Sequence, residues 1–178
     1  MSITLLGIHH DRAAFVCSDE PVLETYVRDD RRALRDHEGA TRVYVLAYDA
    51  QPSQIIGYFT LATSSFDFAD LPKNIQRMYP PYPGAIILGR MAVDSRHRGK
   101  DFGTTLIHEA FRLSLETRQL VGFIAMIVDA KNDGLVTYYT NHNFQLFAGK
   151  LRLFIRAETM QALLDEAREK LHRSTESA

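Results

Sequence analysis

Cysteine is almost missing from this chain: Cys17 is the single one among 178 residues. No disulfide framework can form within such a chain, which fits a reducing compartment. Beside Phe15 and Val16, Cys17 is expected to be a small core hydrophobe rather than a nucleophile. Excess charge of either sign is missing too, since 21 Lys and Arg face 22 Asp and Glu for a formal net charge of -1. That excludes a global basic field, so a nucleic-acid partner would need a local basic patch. No apolar run approaches the roughly 20 residues that span a bilayer. The N-terminus lacks a basic n-region and is interrupted early by Asp11 and Arg12, unlike a signal peptide. A cytoplasmic protein is the simplest expectation, and no metal site is expected. Internal repeats and low-complexity linkers are absent. What is present, 46 % hydrophobic and 24 % charged residues, is ordinary for one soluble domain with a sizeable core. A single domain over 1–178 is expected, with about 174–178 a frayed tail.

Periodicity sets the elements. Pro21 to about Asp36 reads as a helix, with Pro21 in the first turn, Leu23, Tyr26 and Val27 on one stripe, and Gly39 past the end. Thr41–Ala47 and Ile55–Thr63 read as strands of a hairpin, rich in β-branched and aromatic residues. Pro80, Pro81, Pro83 and Gly84 mark a loop. Ala85–Val93 reads as a buried central strand, Gly103 to about Leu120 as an amphipathic helix, and Phe123–Val128 as another buried strand. Asp133–Asn141 is a short helix that Asp133 would cap. Phe144–Phe147 and Leu151–Ile155 are late strands, and Met160, Leu163, Leu164, Ala167 and Leu171 mark a last helix. The middle of this order, strand–helix–strand, places a loop-to-helix junction at the carboxyl end of a central strand.

That junction is Asp94–Thr104, DSRHRGKDFGT. Gly99 and Gly103 permit close backbone approach or positive φ. The helix start offers free N–H donors and a positive dipole end. Arg96, Arg98 and Lys100 add charge suited to phosphate oxygens. A solvated basic turn with a packing glycine is the bland alternative. No Gly-Lys-Ser/Thr closes the loop, so it is not a Walker loop, and its glycine spacing is not the dinucleotide fingerprint.

Arg98-Gly99-Lys100-Asp101-Phe102-Gly103 resembles the coenzyme-A pyrophosphate loop of GNAT acetyltransferases, Gln/Arg-x-x-Gly-x-Gly/Ala. Leu88 to Asp94 resembles their fourth strand, and Val128 to Asn132 with Tyr138 to Phe144 resembles their later segment. The likeness covers about Ile8–Ile155. It narrows to the toxin-like branch that acetylates charged tRNA, through His10 to Cys17, Gly57-Tyr58-Phe59-Thr60-Leu61, and Tyr79 to Pro83. Three positions depart from the pattern: Asp101 stands for the loop's first glycine, Asn143 for the glycine before the final Phe, and Ser18 for a glycine of the toxin branch. Asn143 still tolerates a left-handed backbone.

The resemblance implies an α/β fold, a mixed and mostly antiparallel sheet with helices on both faces. It implies an acetyl-CoA-dependent N-acetyltransferase without a metal. Met91, Ala92, Val93, Arg98, Gly99, Lys100, Asp101, Phe102, Gly103, Thr104 and Asn132 would bind the coenzyme. Met91 to Val93 would pair with the pantetheine arm. Tyr139 occupies the catalytic tyrosine position, as the acid for the departing thiolate. The residues alone leave Tyr138 and Tyr139 open as packing aromatics. Transfer to an amine also needs a neutral nucleophile and an oxyanion donor, often a backbone N–H. No carboxylate or histidine stands out as a base.

For RNA, Arg28, Arg31, Arg32, Arg35, Arg42, Lys73 and Arg77 are the available cations, although Asp29, Asp30, Asp36 and Glu38 interleave with them. Arg77 and Arg90 are the candidate substrate contacts. Arg90, inside an apolar strand, is costly unless paired, which suits either an ion pair or an active-site role. The implied partners are aminoacyl-tRNA, a small DNA-binding antitoxin and a second copy of the chain. Two other readings are an acetyltransferase of a small amine or protein N-terminus, and a non-catalytic coenzyme-A-binding regulatory domain.

Overall fold

The computed structural model describes residues 1–29, 33–65, 67–79 and 83–176. Among the described residues the chain forms seven strands and six α-helices. They are β1 (Ser2–Leu5), α1 (Pro21–Arg28), α2 (Ala33–Glu38), β2 (Arg42–Ala47), β3 (Gly57–Ser64), α3 (Lys73–Gln76) and β4 (Ala85–Val93). After these come α4 (Phe102–Arg118), β5 (Ala125–Asp129), α5 (Asp133–Asn141), β6 (Gln145–Leu146), β7 (Arg152–Arg156) and α6 (Ala157–Glu176). Among the described residues no helix is long and apolar enough to cross a membrane.

The chain forms two compact units, Met1–Thr63 with Ile87–Ala110, and Ser64–Ile86 with Phe111–Ala178. In the first unit the strands lie in the order β1-β2-β3-β4. β1 and β2 pair antiparallel with Ser2 opposite Ala47, and β2 and β3 pair antiparallel with Arg42 opposite Leu61. The core of this unit gathers Phe15, Cys17, Tyr26, Val43, Val45 and Tyr58. Cys17 is 2 % exposed, as expected of a core hydrophobe. Burial pushes its thiol up, and Asp19 adds to this while Arg98 opposes it. In the second unit the order is β5-β7-β6, again antiparallel, with Ile127 opposite Phe154. Its core is aromatic: Phe147 and Phe154 lie 4.7 Å apart, and Phe111 and Phe144 lie 5.8 Å apart, centroid to centroid.

Several expectations need correction. The helix expected over Pro21 to Asp36 is two helices. Asp29 ends α1 with an extended backbone, ψ 109°. The polar run 29–32 carries no apolar residue that would continue the buried stripe. Strand β1 escaped notice because four residues are too few for a periodic signal. Asn132, not Asp133, caps α5, its side chain accepting the Leu135 N–H at 2.9 Å. Helix α6 runs to Glu176 instead of fraying at Ser174, with no Gly or Pro to stop it; 177–178 lie outside the described residues. Pro80, Pro81 and Tyr82 also lie outside them.

One buried carboxylate joins distant parts of the first unit. Asp94 follows β4 and is 0 % exposed. It accepts the Val16 N–H at 3.0 Å and the Arg96 N–H at 2.9 Å. The Arg96 guanidinium grips both its oxygens, Nε at 2.8 Å and Nη2 at 2.6 Å, and also reaches the Ala14 carbonyl at 2.7 Å. The Ser95 N–H donates to the Val16 carbonyl at 2.8 Å. Burial alone would raise the Asp94 carboxyl, but the Arg96 and backbone donors outweigh it and hold it below the usual carboxylate value. Such a group contributes stability that is present above its unfolded pKa and lost as pH falls through its lower folded value. Asp94→Asn, which cannot accept from all four donors, should therefore cost about 2 kcal/mol at pH 7. Its urea midpoint should also lose part of the wild-type decline below pH 4. Urea titrations followed by circular dichroism at pH 7 and pH 3 check both effects.

Candidate active site

The loop from Asp94 to the start of α4 belongs to the first unit. Gly99 and Asp101 both take positive φ, 72° and 59°, with Lys100 between them. Alternation of this kind turns successive N–H groups toward a common concavity that suits an anion. A Cβ built at Gly99 would meet nothing within 4 Å, so the backbone there is open to a ligand. Helix α4 begins at Phe102 and adds the N–H groups of its first turn and its positive dipole end. Phe102 is buried and seats the loop, its ring 6.3 Å from Tyr48 and 6.2 Å from His97. Lys100, Gly99 and Asp101 are exposed, and Gly103 and Thr104 half-buried. These residues fit a pyrophosphate-bearing group.

The loop's two arginines are engaged elsewhere. Arg96 is spent on Asp94 and Ala14, as described. Arg98 donates from both terminal nitrogens to the Asp19 carboxylate, at 2.6 Å from Nη1 and closer from Nη2, and to Cys17 Sγ at 3.6 Å. The Arg98 hydrogen bond holds the Asp19 carboxyl below its usual value. Asp101 turns to the helix: its Oδ1 accepts the Thr104 hydroxyl at 2.6 Å, and its carbonyl accepts the Thr105 N–H at 3.2 Å. A carboxylate is thus tolerated where the resemblance has glycine, because Asp is among the few residues that enter the left-handed region with local hydrogen-bond support.

Strand β4 leads into this loop. Ala92 is buried, and Met91 and Val93 half-buried. A Cβ at Gly57 on β3 would sit 2.9 Å from the Ala92 carbonyl oxygen, so only glycine allows this approach. Arg90 has no carboxylate within ion-pair distance among the described residues; its guanidinium lies 4.1 Å over the Tyr26 ring. Its backbone N–H donates to the buried Thr60 hydroxyl at 2.9 Å.

In the second unit, Tyr139 sits near the end of α5 and is 8 % exposed. Tyr138 and Phe144 each approach its ring edge-on at 5.4 Å. The Phe144 N–H donates to the Tyr139 carbonyl at 3.1 Å, and Asn143 takes the left-handed φ of 66° expected of it. Burial and the neighbouring Tyr138 push the Tyr139 phenol up to about 12. It therefore stays protonated across the physiological range. His142 is tied by its Nδ1 to the Tyr138 carbonyl at 2.8 Å. Asn132 spends a side-chain lone pair on the α5 cap, leaving its NH₂ group.

Of the expected RNA-facing cations, Arg28 pairs with Glu24 at 2.6 Å, and Lys73, Arg42 and Arg77 are exposed. Arg31, Arg32 and the Arg35 side chain lie outside the described residues. Asp19, Tyr26, Thr60 and Asp94 were missed as site supports, because only tertiary contact reveals them. Among the described residues no three His, Cys, Asp or Glu gather into a set that could hold a metal ion.

A model of the acetyltransferase (GNAT) family matches residues 8–144. A tRNA-acetylating toxin of Mycobacterium tuberculosis is 29 % identical over 151 residues, 84 % of this chain and 88 % of its own. The solved structure of AtaT complexed with acetyl-methionyl-tRNAfMet is 27 % identical, with a TM-score of 0.82 over 91 % of this chain and 98 % of that one. AtaTR bound with AcCoA is also 27 % identical, with a TM-score of 0.76 over 91 % and 96 % of the two chains.

The Asp101 geometry makes its own prediction. Asp101→Ala keeps the left-handed strain and loses the Thr104 bond, so it should cost about 1 kcal/mol. Asp101→Gly loses the bond and the strain together, and should stay close to wild type. Equal losses for both variants in urea denaturation would show that backbone strain is not what position 101 imposes.

Proposed function

The chain belongs to the acetyltransferase (GNAT) family, a mixed α/β fold whose co-substrate is acetyl-CoA, and on that premise we propose that it transfers the acetyl group to the α-amine of an aminoacyl-tRNA. The observation that carries the acceptor is the likeness, over almost the whole chain, to a structure solved with acetyl-methionyl-tRNAfMet. The curated tRNA-acetylating relative points the same way.

In this reading the main chain of Met91, Ala92 and Val93 pairs with the pantetheine arm. The backbone of Gly99 to Thr104, with Lys100, holds the pyrophosphate. Arg98 serves mainly through its backbone, since its guanidinium is shared with Asp19. Asn132 offers its remaining NH₂ group to the coenzyme. The acetyl thioester supplies an activated carbonyl. The neutral amine attacks that carbon, the carbon–sulfur bond breaks, the amine sheds its proton to solvent, and the sulfur gains one. An aminoacyl-ester amine is less basic than lysine, so it needs little help from a base.

Tyr139 donates at the sulfur. Its pKa near 12 lies about 3.5 units above a thiol's ordinary 8.5. Full proton transfer is therefore uphill in the free protein, and the hydroxyl acts first as a hydrogen-bond donor to developing thiolate. In this reading the Asp101 carboxylate is turned to the Thr104 hydroxyl at the helix start, which supports a loop that accepts the coenzyme.

Arg90 and Arg77 contact the acceptor in this proposal. The chain acts as one domain in the cytoplasm, toxic alone and countered by a small DNA-binding antitoxin. A second copy completes the assembly.

Incubating the pure protein with labelled acetyl-CoA and bulk charged tRNA should label the tRNA through its base-labile aminoacyl ester. Preferential labelling of free amino acids or polyamines would overturn the acceptor. Tyr139→Phe should lower kcat by about 10²-fold while calorimetry shows acetyl-CoA binding retained. Because the phenol titrates near 12, wild-type kcat should show no falling limb from Tyr139 up to about pH 10. A limb near pH 8 that vanishes in Tyr139→Phe would refute the raised pKa.

A further inference from the structure

We propose that Tyr26 is a positioning residue for the acceptor: its ring holds the Arg90 guanidinium in place, so that the N–H groups turned away from the ring grip a phosphodiester of the incoming nucleic acid. The proposal deepens the reading above and rests on Arg90 as an acceptor contact.

A half-buried arginine normally answers its desolvation with a carboxylate. Arg90 has none within ion-pair distance among the described residues, and instead its Cζ lies 4.1 Å over the Tyr26 ring. With Cζ held 4.1 Å from the ring centroid, the ring covers one side of the guanidinium. A guanidinium carries five N–H donors in a planar fork that can pair bidentately with phosphate, and those turned away from the ring remain for a ligand. The ring is itself immobile. Tyr26 is 3 % exposed and stacks on Tyr58 at 6.0 Å and 26°. Tyr58 is fixed in turn by its hydroxyl, which donates to the Leu23 carbonyl at 2.8 Å, and by the edge of Phe15 at 5.6 Å. Below the side chain, Thr60 Oγ1 accepts the Arg90 N–H and fixes the strand. Both ends of Arg90 are thus set before any ligand arrives.

The Tyr26 phenol is pushed up to about 12, chiefly by burial, so the ring meets the cation as a neutral π face and not as a phenolate. The pyrophosphate of the coenzyme does not need this cation. Arg90 precedes Val93 by three strand residues, about 10 Å, and the cradle begins only beyond that. A second anion is the natural occupant, and the acceptor carries phosphodiesters.

The test measures KM for bulk charged tRNA, kcat, and the Kd for acetyl-CoA. Tyr26→Leu fills the core but removes the π face. It should raise KM about 3- to 10-fold, the range of a partly desolvated cation–π contact, with kcat and coenzyme Kd retained. Tyr26→Phe should restore KM. Arg90→Ala should raise KM and reduce the slope of log KM against log salt by about one, and Tyr26→Leu should add nothing in that background. If Tyr26→Leu proves too unstable to purify, Tyr26→Met takes its place. A Tyr26→Leu effect that persists beside Arg90→Ala, or that Tyr26→Phe shares, would make the ring a packing element and overturn the proposal. Arg90→Ala with unchanged KM would instead sink the acceptor contact beneath it. Arg90→Ala with raised KM and an inert Tyr26→Leu would sink the positioning role alone. Failure of the wild type to use charged tRNA would sink both.

Discussion

The first unit turns on the ion pair between Asp94 and Arg96. A carboxylate with no exposure is tolerable only when its lone pairs are filled, and here two backbone N–H groups and a two-pronged guanidinium fill them. What makes the contact organising is where its partners come from. Val16 and Ala14 lie some eighty residues earlier in the chain, so a single side chain fixes the end of β4 to the segment that closes the first core. The loop that would receive the coenzyme starts at the next residue. Its shape is inherited from that anchorage.

The same economy explains the use of charge along the loop. Arg96 and Arg98 are both turned toward the 14–19 segment, the one by Asp94 and the other by Asp19. Little side-chain charge is then left for a phosphate beyond Lys100, and the burden passes to backbone N–H groups. That is consistent with the two left-handed residues, Gly99 and Asp101, which aim those groups. Backbone donors cost no side-chain entropy to order, whereas a flexible arginine does. Asp101 fits this scheme because its carboxylate is occupied by Thr104.

Much of this was legible beforehand, and the reasons differ from element to element. β4 and α5 were bounded to the residue because a continuous apolar run and a compact helical period leave little choice. The left-handed backbone at Asn143 agrees with its standing where the resemblance has a glycine, since Asn tolerates that conformation. The break between α1 and α2 was not legible, since a polar run inside a helical pattern reads equally as a solvated face. Nor was the use of the loop's arginines. Sequence shows how many cations stand near a phosphate loop, but the choice between a ligand and Asp19 is made in three dimensions. The rise of the Tyr139 phenol to about 12 was not legible either, because it comes from burial first and from the neighbouring Tyr138 second, and burial is decided by tertiary packing.

Cys17 shows what burial does to a solitary reactive atom. The chain has no other thiol and no tryptophan. Its sulfur lies 2 % exposed in the first core, beneath the Arg98 guanidinium, and burial keeps it in the unreactive protonated form. A thiol reagent can reach it only when the segment around it swings open. The rate of its alkylation is therefore a stopwatch for the breathing of this unit alone, silent to motion elsewhere in the chain. Whatever steadies the loop at 94–101 must slow that clock, and it reads out in a tube without a chromophore.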